Sequence, residues 1–420
     1  MASVTTGQTL DRRLGLGDAV FIGLGSMIGA GVFAAYGPAA RAAGTGLLVG
    51  LAVAAVVAYC NATSSAQLAA AYPYAGGTYL YGREVLGDWW GYLAGWGFLV
   101  GKTASCAAMA LTFAAYVAPD GWQRAVGAAV VVVLALVNCA GVTRTALLTR
   151  VLVSLVLVTL VIACVACFSG GSSSGLSGWD SPDRGVYGVL QSAGLLFFAF
   201  AGYARIATLG EEVREPERVI PRAIVMALAG AVVVYAVVAV AVLSVLGASG
   251  TAASGAPVAD AVRAVAGPWA VGVVRVGAAL ASAGALLALI AGLGRTGLAM
   301  ARERDLPGWL DAVHPRFRVP HRAELTVAAV VVVLVLTTDL RGAIGFSSFG
   351  VLLYYFVANA SAYSQDRPAR RFPRWLQMLG CTGCLVLVAT LPWQSVLAGL
   401  VVFALGIAIR LTVEARRTAR

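Results

Sequence analysis

Lys102 is the only lysine in the chain, and it stands inside a long apolar run, in Gly101-Lys102-Thr103-Ala104-Ser105. A charge that far into a membrane segment cannot comfortably reach the headgroups and is a functional group by default. Desolvation can take the proton from a lysine but not from an arginine, so this residue type suits a site that answers to protons.

Two further stretches have the composition of a binding site. Gly23-Leu24-Gly25-Ser26-Met27-Ile28-Gly29-Ala30-Gly31-Val32-Phe33 holds four glycines within nine residues. Each costs about 1 kcal/mol of helix propensity relative to alanine. Two readings fit that cost. Either the backbone unwinds here, lines a cavity and offers the N–H groups of a half-helix to an anion, or Gly25-x-x-x-Gly29 is a small-residue stripe for close helix packing. About half-way along the chain comes a second interrupted run, Phe197-Phe198-Ala199-Phe200-Ala201-Gly202-Tyr203-Ala204-Arg205. Paired breaks at corresponding places in two halves of a membrane chain point to a site at the interface of inverted repeats.

The elements that must carry these residues are membrane helices. Of 420 residues, 60% are hydrophobic and 12% charged, and the mean hydropathy is +0.85. Apolar runs of about 20 residues recur, the length that crosses a bilayer as helix. They fall at 14–36, 45–69, 89–117, 124–141, 148–168, 187–209, 221–247, 268–297, 323–338, 343–363, 375–391 and 393–410. The expectation is an all-α polytopic membrane protein of twelve spans without a cleavable signal peptide, since residues 1–13 are polar and the first run is long and glycine-broken.

The net charge of +11 could suggest nucleic acid. Its distribution excludes that partner. With both termini cytoplasmic, only Arg41, Arg124, Arg184, Arg263 and Arg341 fall in outside loops, and Lys102, Arg205, Arg275 and Arg295 fall within spans. The remaining basic residues, among them Arg12, Arg13, Arg316, Arg318, Arg370, Arg371, Arg416 and Arg417, lie inside, as the positive-inside rule requires.

Seven cysteines lie almost wholly in apolar runs, two pairs with Cys-x-x-Cys spacing (Cys164/Cys167 and Cys381/Cys384). Without a nearby histidine these read as small buried apolar residues rather than a metal site. The two histidines, His314 and His321, share a basic loop. Span 2 carries a polar stripe, Asn61, Ser64, Ser65 and Gln67, that should face protein, and spans 9 and 10 lead to Asn359 and Tyr363. Asp18, a turn into span 1, should cap it or join a gate. The segment Tyr72 to Tyr81 reads as interfacial, Gly170 to Gly175 as a flexible linker, and Glu211 to Arg222 as a solvated loop with local ion pairs or a gating element. Pro392-Trp393 joins the last two spans in a tight hairpin, a peripheral pair.

Four motifs in order resemble those of the amino acid–polyamine–organocation permease family. The glycine pattern of Gly25 to Phe33 matches its first span. Phe197 to Pro221, with Phe-Phe-Ala-Phe-x-Gly followed by Glu-Glu-Val-x-x-Pro-x-Arg-x-Ile-Pro, matches its sixth. Pro73 to Tyr79 matches Pro-x-Ala-Gly-Gly-x-Tyr, and Arg295 with Ala299 to Arg302 matches the inner end of its eighth. The resemblance covers nearly the whole chain.

It implies a leucine-transporter-type fold. Residues 14–168 would form one five-helix repeat, 187–363 its inverted partner and 375–410 two extra helices, with cytoplasmic tails at 1–13 and 411–420. It also implies alternating access around a midplane site between spans 1, 3, 6, 8 and 10. A substrate carboxylate would lie on the backbone of Ile28, Gly29, Ala30 and Gly31. The amino group would meet carbonyls of Met27, Phe198 and Ala201 beside Gly202, and Phe198, with Phe200 second, would close over it. Ala30 stands where many members carry serine, which leaves the carboxylate to backbone N–H groups.

Two departures shape the expectation. Proton-using members often carry a lysine in span 5, but this chain has none there, so Lys102 is assigned the proton-responsive role from span 3. Many members have an acidic residue where this chain has Ala204, with Arg205 next. Arg205 either faces the substrate or pairs with Glu211 or Glu212. No Asp or Glu is expected deep in a span, which disfavours cationic substrates and polyamines.

The expected function is a secondary amino-acid transporter of the cytoplasmic membrane, taking up a neutral amino acid, or second an acidic one, with protons. An ion-independent exchanger of amino acids or amines is the alternative. A receptor is disfavoured because no signalling domain is present. An enzyme is disfavoured because no intramembrane histidine, carboxylate pair or nucleophile–base set is present. No cofactor or metal is expected. Sodium, with Ser282 and carbonyls of the first break as ligands, stands second to the proton as driving ion. The partners expected are an amino-acid substrate and the lipid bilayer, and nothing in the sequence sets an oligomeric state.

Overall fold

The computed structural model describes residues 14–72, 76–141, 146–171, 185–209 and 212–418. Arg12 and Arg13, Pro73 to Ala75, the linker from Ser172 to Gly175, and Glu211 lie outside the described residues. Among the described residues the regular structure is helical, with one isolated parallel bridge between Leu14 and Val213.

Eight stretches are long and apolar enough to cross a membrane, and Gln123–Cys139, Gly185–Phe200 and Arg374–Thr390 are shorter apolar helices. The first expected span is broken as its glycines suggested. Helix α1 (Leu16–Met27) stops, and the chain resumes as α2 (Gly31–Ala34) and α3 (Tyr36–Ala43). That carries the segment to Ala43, beyond the expected end at residue 36, because alanines continue the helical run past Pro38. Next come α4 (Leu47–Ala71), α5 (Gly77–Leu86), α6 (Asp88–Val117), α7 (Gln123–Cys139) and α8 (Ala146–Gly170).

The second break follows the same plan. Helix α9 (Gly185–Phe200) ends, Ala201 to Tyr203 turn, and α10 (Ala204–Ala207) adds one turn. The charged stretch read as a solvated loop is helical from Pro216 onward. Pro216 opens α11 (Pro216–Ala253), where a proline's missing N–H costs nothing. Arg218 still pairs with Glu215 at 3.6 Å, both exposed. Gly247, at φ 64°, kinks α11 near its far end. The amphipathic α12 (Pro257–Val265) was not anticipated and precedes α13 (Pro268–Arg302). Then follow α14 (His321–Thr337), α15 (Leu340–Ser364), α16 (Arg374–Thr390) and α17 (Trp393–Thr418). Residues 411–418, expected as a tail, continue α17.

Packing explains the polar stripe of span 2. Asn61, Ser64, Ser65 and Gln67 are all buried. Asn359 of α15 donates to Asn61 at 2.6 Å and accepts from Ser64 at 2.7 Å, and Gln67 donates to Gln365 at 2.8 Å. The network gives Ser64, Gln67 and the Asn61 Oδ1 partners that lipid cannot supply, whereas Asn61 Nδ2 and Ser65 Oγ have none among the described residues. Of the last two helices, α16 packs on α4, α9 and α15, its Gly380 lying against Asn359, whereas α17 sits at the edge on α6 and α15. The peripheral reading therefore fits α17 but not α16. The cysteines are free thiols, and among the described residues no group of three or more His, Cys, Asp or Glu is placed to hold a metal.

Candidate functional site

The two breaks touch at backbone level. A Cβ on Gly202 would lie 2.3 Å from the carbonyl oxygen of Ser26 and 2.6 Å from the amide of Met27. A Cβ on Gly31 would lie 2.7 Å from Cα of Ala199. The other glycines of the first motif each meet a different element: Gly23 meets Ile206 of α10, Gly25 meets Val153 of α8, and Gly29 meets Ala285 of α13. Unwinding and close packing therefore occur together, and the glycine spacing serves both.

Tyr235 of α11 ties the breaks to each other. Its buried hydroxyl lies 2.6 Å from the Met27 carbonyl and 2.8 Å from the Ala199 carbonyl, so one phenolic proton is shared between the C-terminal ends of α1 and α9. Tyr36 donates to the Tyr235 carbonyl at 3.0 Å, and the Tyr235 ring meets Phe200 edge-on at 5.0 Å. At the other ends of the broken segments, Leu14 N–H donates to Glu212 O at 3.0 Å and Arg214 N–H to Leu14 O at 2.9 Å. Asp18 accepts from the Gly15 amide at 3.1 Å and pairs with Arg150 of α8, so it both caps α1 and joins it to α8.

A cavity of ≈ 320 Å³ lies where the breaks meet α6, α8 and α13. It runs from Leu14, Thr208 and Glu212 to Phe98, Lys102 and Met109. Ile28, Gly29, Ala201, Gly202, Arg205 and Lys102, all expected at a site, line it. Met27, Ala30, Gly31, Phe198 and Phe200 are buried beside it rather than in its wall. Thr149, Leu152, Val153 and Val156 of α8 complete the wall that α15 was expected to supply. Helix α15 acts one layer behind. Tyr355 stacks on Tyr203 at 5.0 Å and points its hydroxyl at the Ala201 carbonyl, 3.4 Å away.

Lys102 is 8% exposed. Its Nζ donates to the Ala201 carbonyl at 2.9 Å, the first carbonyl past the end of α9. Helix C-terminal carbonyls carry partial negative charge, so this is a favourable place for an ammonium. Arg205 is exposed to the cavity; its Nη1 donates to Thr208 Oγ1 at 3.4 Å, and among the described residues it makes no ion pair with Glu212. Phe198, 7% exposed, packs in an apolar cluster with Ala30, Ala34 and Leu195 against Phe98.

Three features escaped the sequence reading. Tyr235 and Tyr355 looked like ordinary aromatic residues of apolar runs, and no local pattern marks them. Glu324 is buried in the first turn of α14, beside Gly294 and the Cys139 thiol, so a carboxylate does sit inside a span, though away from the cavity. Asp305, after α13, is 7% exposed and accepts from Tyr79 at 2.7 Å, Arg83 at 3.2 Å and Arg410 at 2.9 Å. Ser282, expected as the sodium ligand, has its Oγ buried with no hydrogen-bond partner among the described residues.

A multi-pass helical bundle whose two broken segments cross in the wall of a ligand-sized cavity defines a membrane transporter. The model of the amino acid permease family matches residues 14–409. The chain belongs to that family, within the amino acid–polyamine–organocation group its motifs resemble, and it is a transporter, not an enzyme. It is 61% identical over 399 residues to an uncharacterized transporter of Mycobacterium tuberculosis, covering 95% of this chain and 90% of that one. It is 25% identical over 447 residues to the branched-chain amino acid permease BcaP of Bacillus subtilis, covering 97% and 94%. It is also 29% identical over 424 residues to the cationic amino acid transporter 7, chloroplastic, of Arabidopsis thaliana, covering 94% and 73%.

Proposed function

We propose that the protein is a secondary active transporter of the cytoplasmic membrane that takes up a neutral amino acid with protons by alternating access. The observation that carries this is the crossing of the two breaks in one cavity wall, with the Lys102 amine on the Ala201 carbonyl. In the proposed architecture, residues 14–168 and 187–363 are the two inverted repeats within twelve spans, and both termini are cytoplasmic. The cavity then opens inward past Leu14 and Glu212, while Phe198 and its apolar cluster close the outer side.

The cavity supports the substrate class. Beyond its backbone groups its wall is mostly aliphatic, which suits an uncharged side chain. The branched-chain specificity in the name of the Bacillus subtilis relative is of that kind. Lys102 and Arg205 place two cations in the wall against one acid, Glu212, which disfavours the cationic substrates in the name of the Arabidopsis relative. An acidic amino acid is the second choice on the same grounds. Lys102 is the proton-responsive group because lysine alone of the two cations gives up its proton when desolvated.

Exchange without ion coupling is the alternative. The unpartnered Ser282 hydroxyl keeps sodium as the second coupling ion. The test is uptake of a labelled amino-acid panel into sealed proteoliposomes under an inward proton gradient, an inward sodium gradient, or neither. Accumulation that needs the proton gradient is expected. Exchange only with preloaded amino acid, indifferent to pH and sodium, makes the protein an exchanger instead.

A further inference from the structure

We infer that the Lys102 side chain is a tethered stand-in for the substrate's amino group, which occupies the second break in the unloaded carrier and so allows the empty protein to change its facing. This rests on the amino-acid reading above. Lys102 and Ala201 both line the cavity, and the Nζ–O contact between them is 2.9 Å. An arriving primary amine that takes the Ala201 carbonyl must displace Lys102 from it. The Met27 carbonyl has no such competitor in the cavity: its donor, the Tyr235 hydroxyl, belongs to α11 and is not part of the cavity wall.

The need for a stand-in follows from burial. A carrier that changes its facing closes around its site, and a carbonyl shut away without a donor is costly. With ligand bound, the ligand supplies the donor. Without ligand, Lys102 supplies it. The tether works in either charge state, since a neutral amine still offers N–H groups and a proton taken up or lost by Lys102 leaves the bond possible. The groups around it are Cys106 one turn along α6, Tyr355 from α15, and Arg205 and Glu212 farther along the cavity. The Tyr355 hydroxyl also donates to Ala201, but at 3.4 Å, a longer and weaker bond than the 2.9 Å contact of Lys102. A carrier with a tether returns empty and performs net transport; one without it is held to exchange.

The experiment compares two modes in sealed proteoliposomes, using the panel amino acid that wild type moves fastest: net uptake into vesicles free of amino acid, and exchange into vesicles preloaded with it. Lys102→Met, which removes every N–H at similar length, is expected to raise the ratio of exchange to net uptake by about tenfold, the size set by one buried carbonyl losing its short hydrogen bond. Lys102→Gln, neutral but still a donor, is expected to bring the ratio back toward wild type while losing dependence on the proton gradient. An unchanged ratio in Lys102→Met, or a Gln variant no different from Met, overturns the inference and leaves the transport reading standing. If Lys102→Met does not fold, the same comparison is made between Lys102→Ala and Lys102→Gln, and equal ratios overturn the inference. Wild type that moves no amino acid in either mode overturns the transport reading itself and the inference with it.

Discussion

The Tyr235 hydroxyl lies 2.6 Å from the carbonyl oxygen of Met27, although the two residues are 208 positions apart. The same hydroxyl reaches Ala199 at 2.8 Å, so a single phenol on α11 holds the ends of both broken helices together. Tyr235→Phe keeps the ring contact with Phe200 but leaves two buried carbonyls without a donor. The expected cost is about 1–3 kcal/mol. It should appear as a lower melting temperature in detergent and slower amino-acid uptake, with the ligand able to recover part of the stability.

Gly202 has no room for a methyl group, because the backbone of Ser26 and Met27 would meet its Cβ. Gly202→Ala is expected to abolish uptake while the protein still reaches the membrane. Gly272→Ala in α13, where an added Cβ would meet no other described element within 4 Å, is the control. It should leave uptake intact and stabilise the helix by up to about 1 kcal/mol. Uptake normalised to membrane protein distinguishes the two.

Asp305 holds three donors from α5 and α17 while almost fully buried, and Arg410 opposite it also stacks over Trp89 and Tyr92. Removing one partner of a buried ion pair costs about 3–5 kcal/mol, because the other charge remains. Asp305→Asn should therefore melt well below wild type in a thermal-shift measurement. The double variant Asp305→Asn with Arg410→Met should recover part of the loss.

Arg205 borders the cavity with Thr208 as its hydrogen-bond partner and, among the described residues, no ion pair to Glu212. Arg205→Ala is expected to shift selectivity toward amines and cationic amino acids by removing a like charge from the wall. Competition of the panel against the labelled substrate measures it. Selectivity identical to wild type would assign Arg205 a structural role.

Much of the architecture was legible in the chain because a bilayer leaves few choices. Every backbone group must be satisfied within its own segment, so apolar runs of about 20 residues become helices. The glycine cluster around Gly29 and the interrupted aromatic run at Gly202 marked the breaks because helix-breaking at that depth has few other uses. The buried stripe from Asn61 to Gln67 was equally plain, since polar residues in lipid must find protein.

What tertiary structure alone decided is which atoms face each other. Lys102 was visible as a buried cation, but that its amine rests on Ala201, 99 residues away, depends on how α6 crosses the second break. Tyr235 had no local signature at all, since a tyrosine in an apolar run looks the same whether it faces lipid or two helix ends. The placement of α8 rather than α15 in the cavity wall, and the burial of Glu324 and Asp305, have the same origin. Hydropathy is a property of a residue and its neighbours in sequence, so it fixes segments. Contacts across a bundle depend on the rotation and offset of helices far apart in sequence, and those are set only when all of them pack.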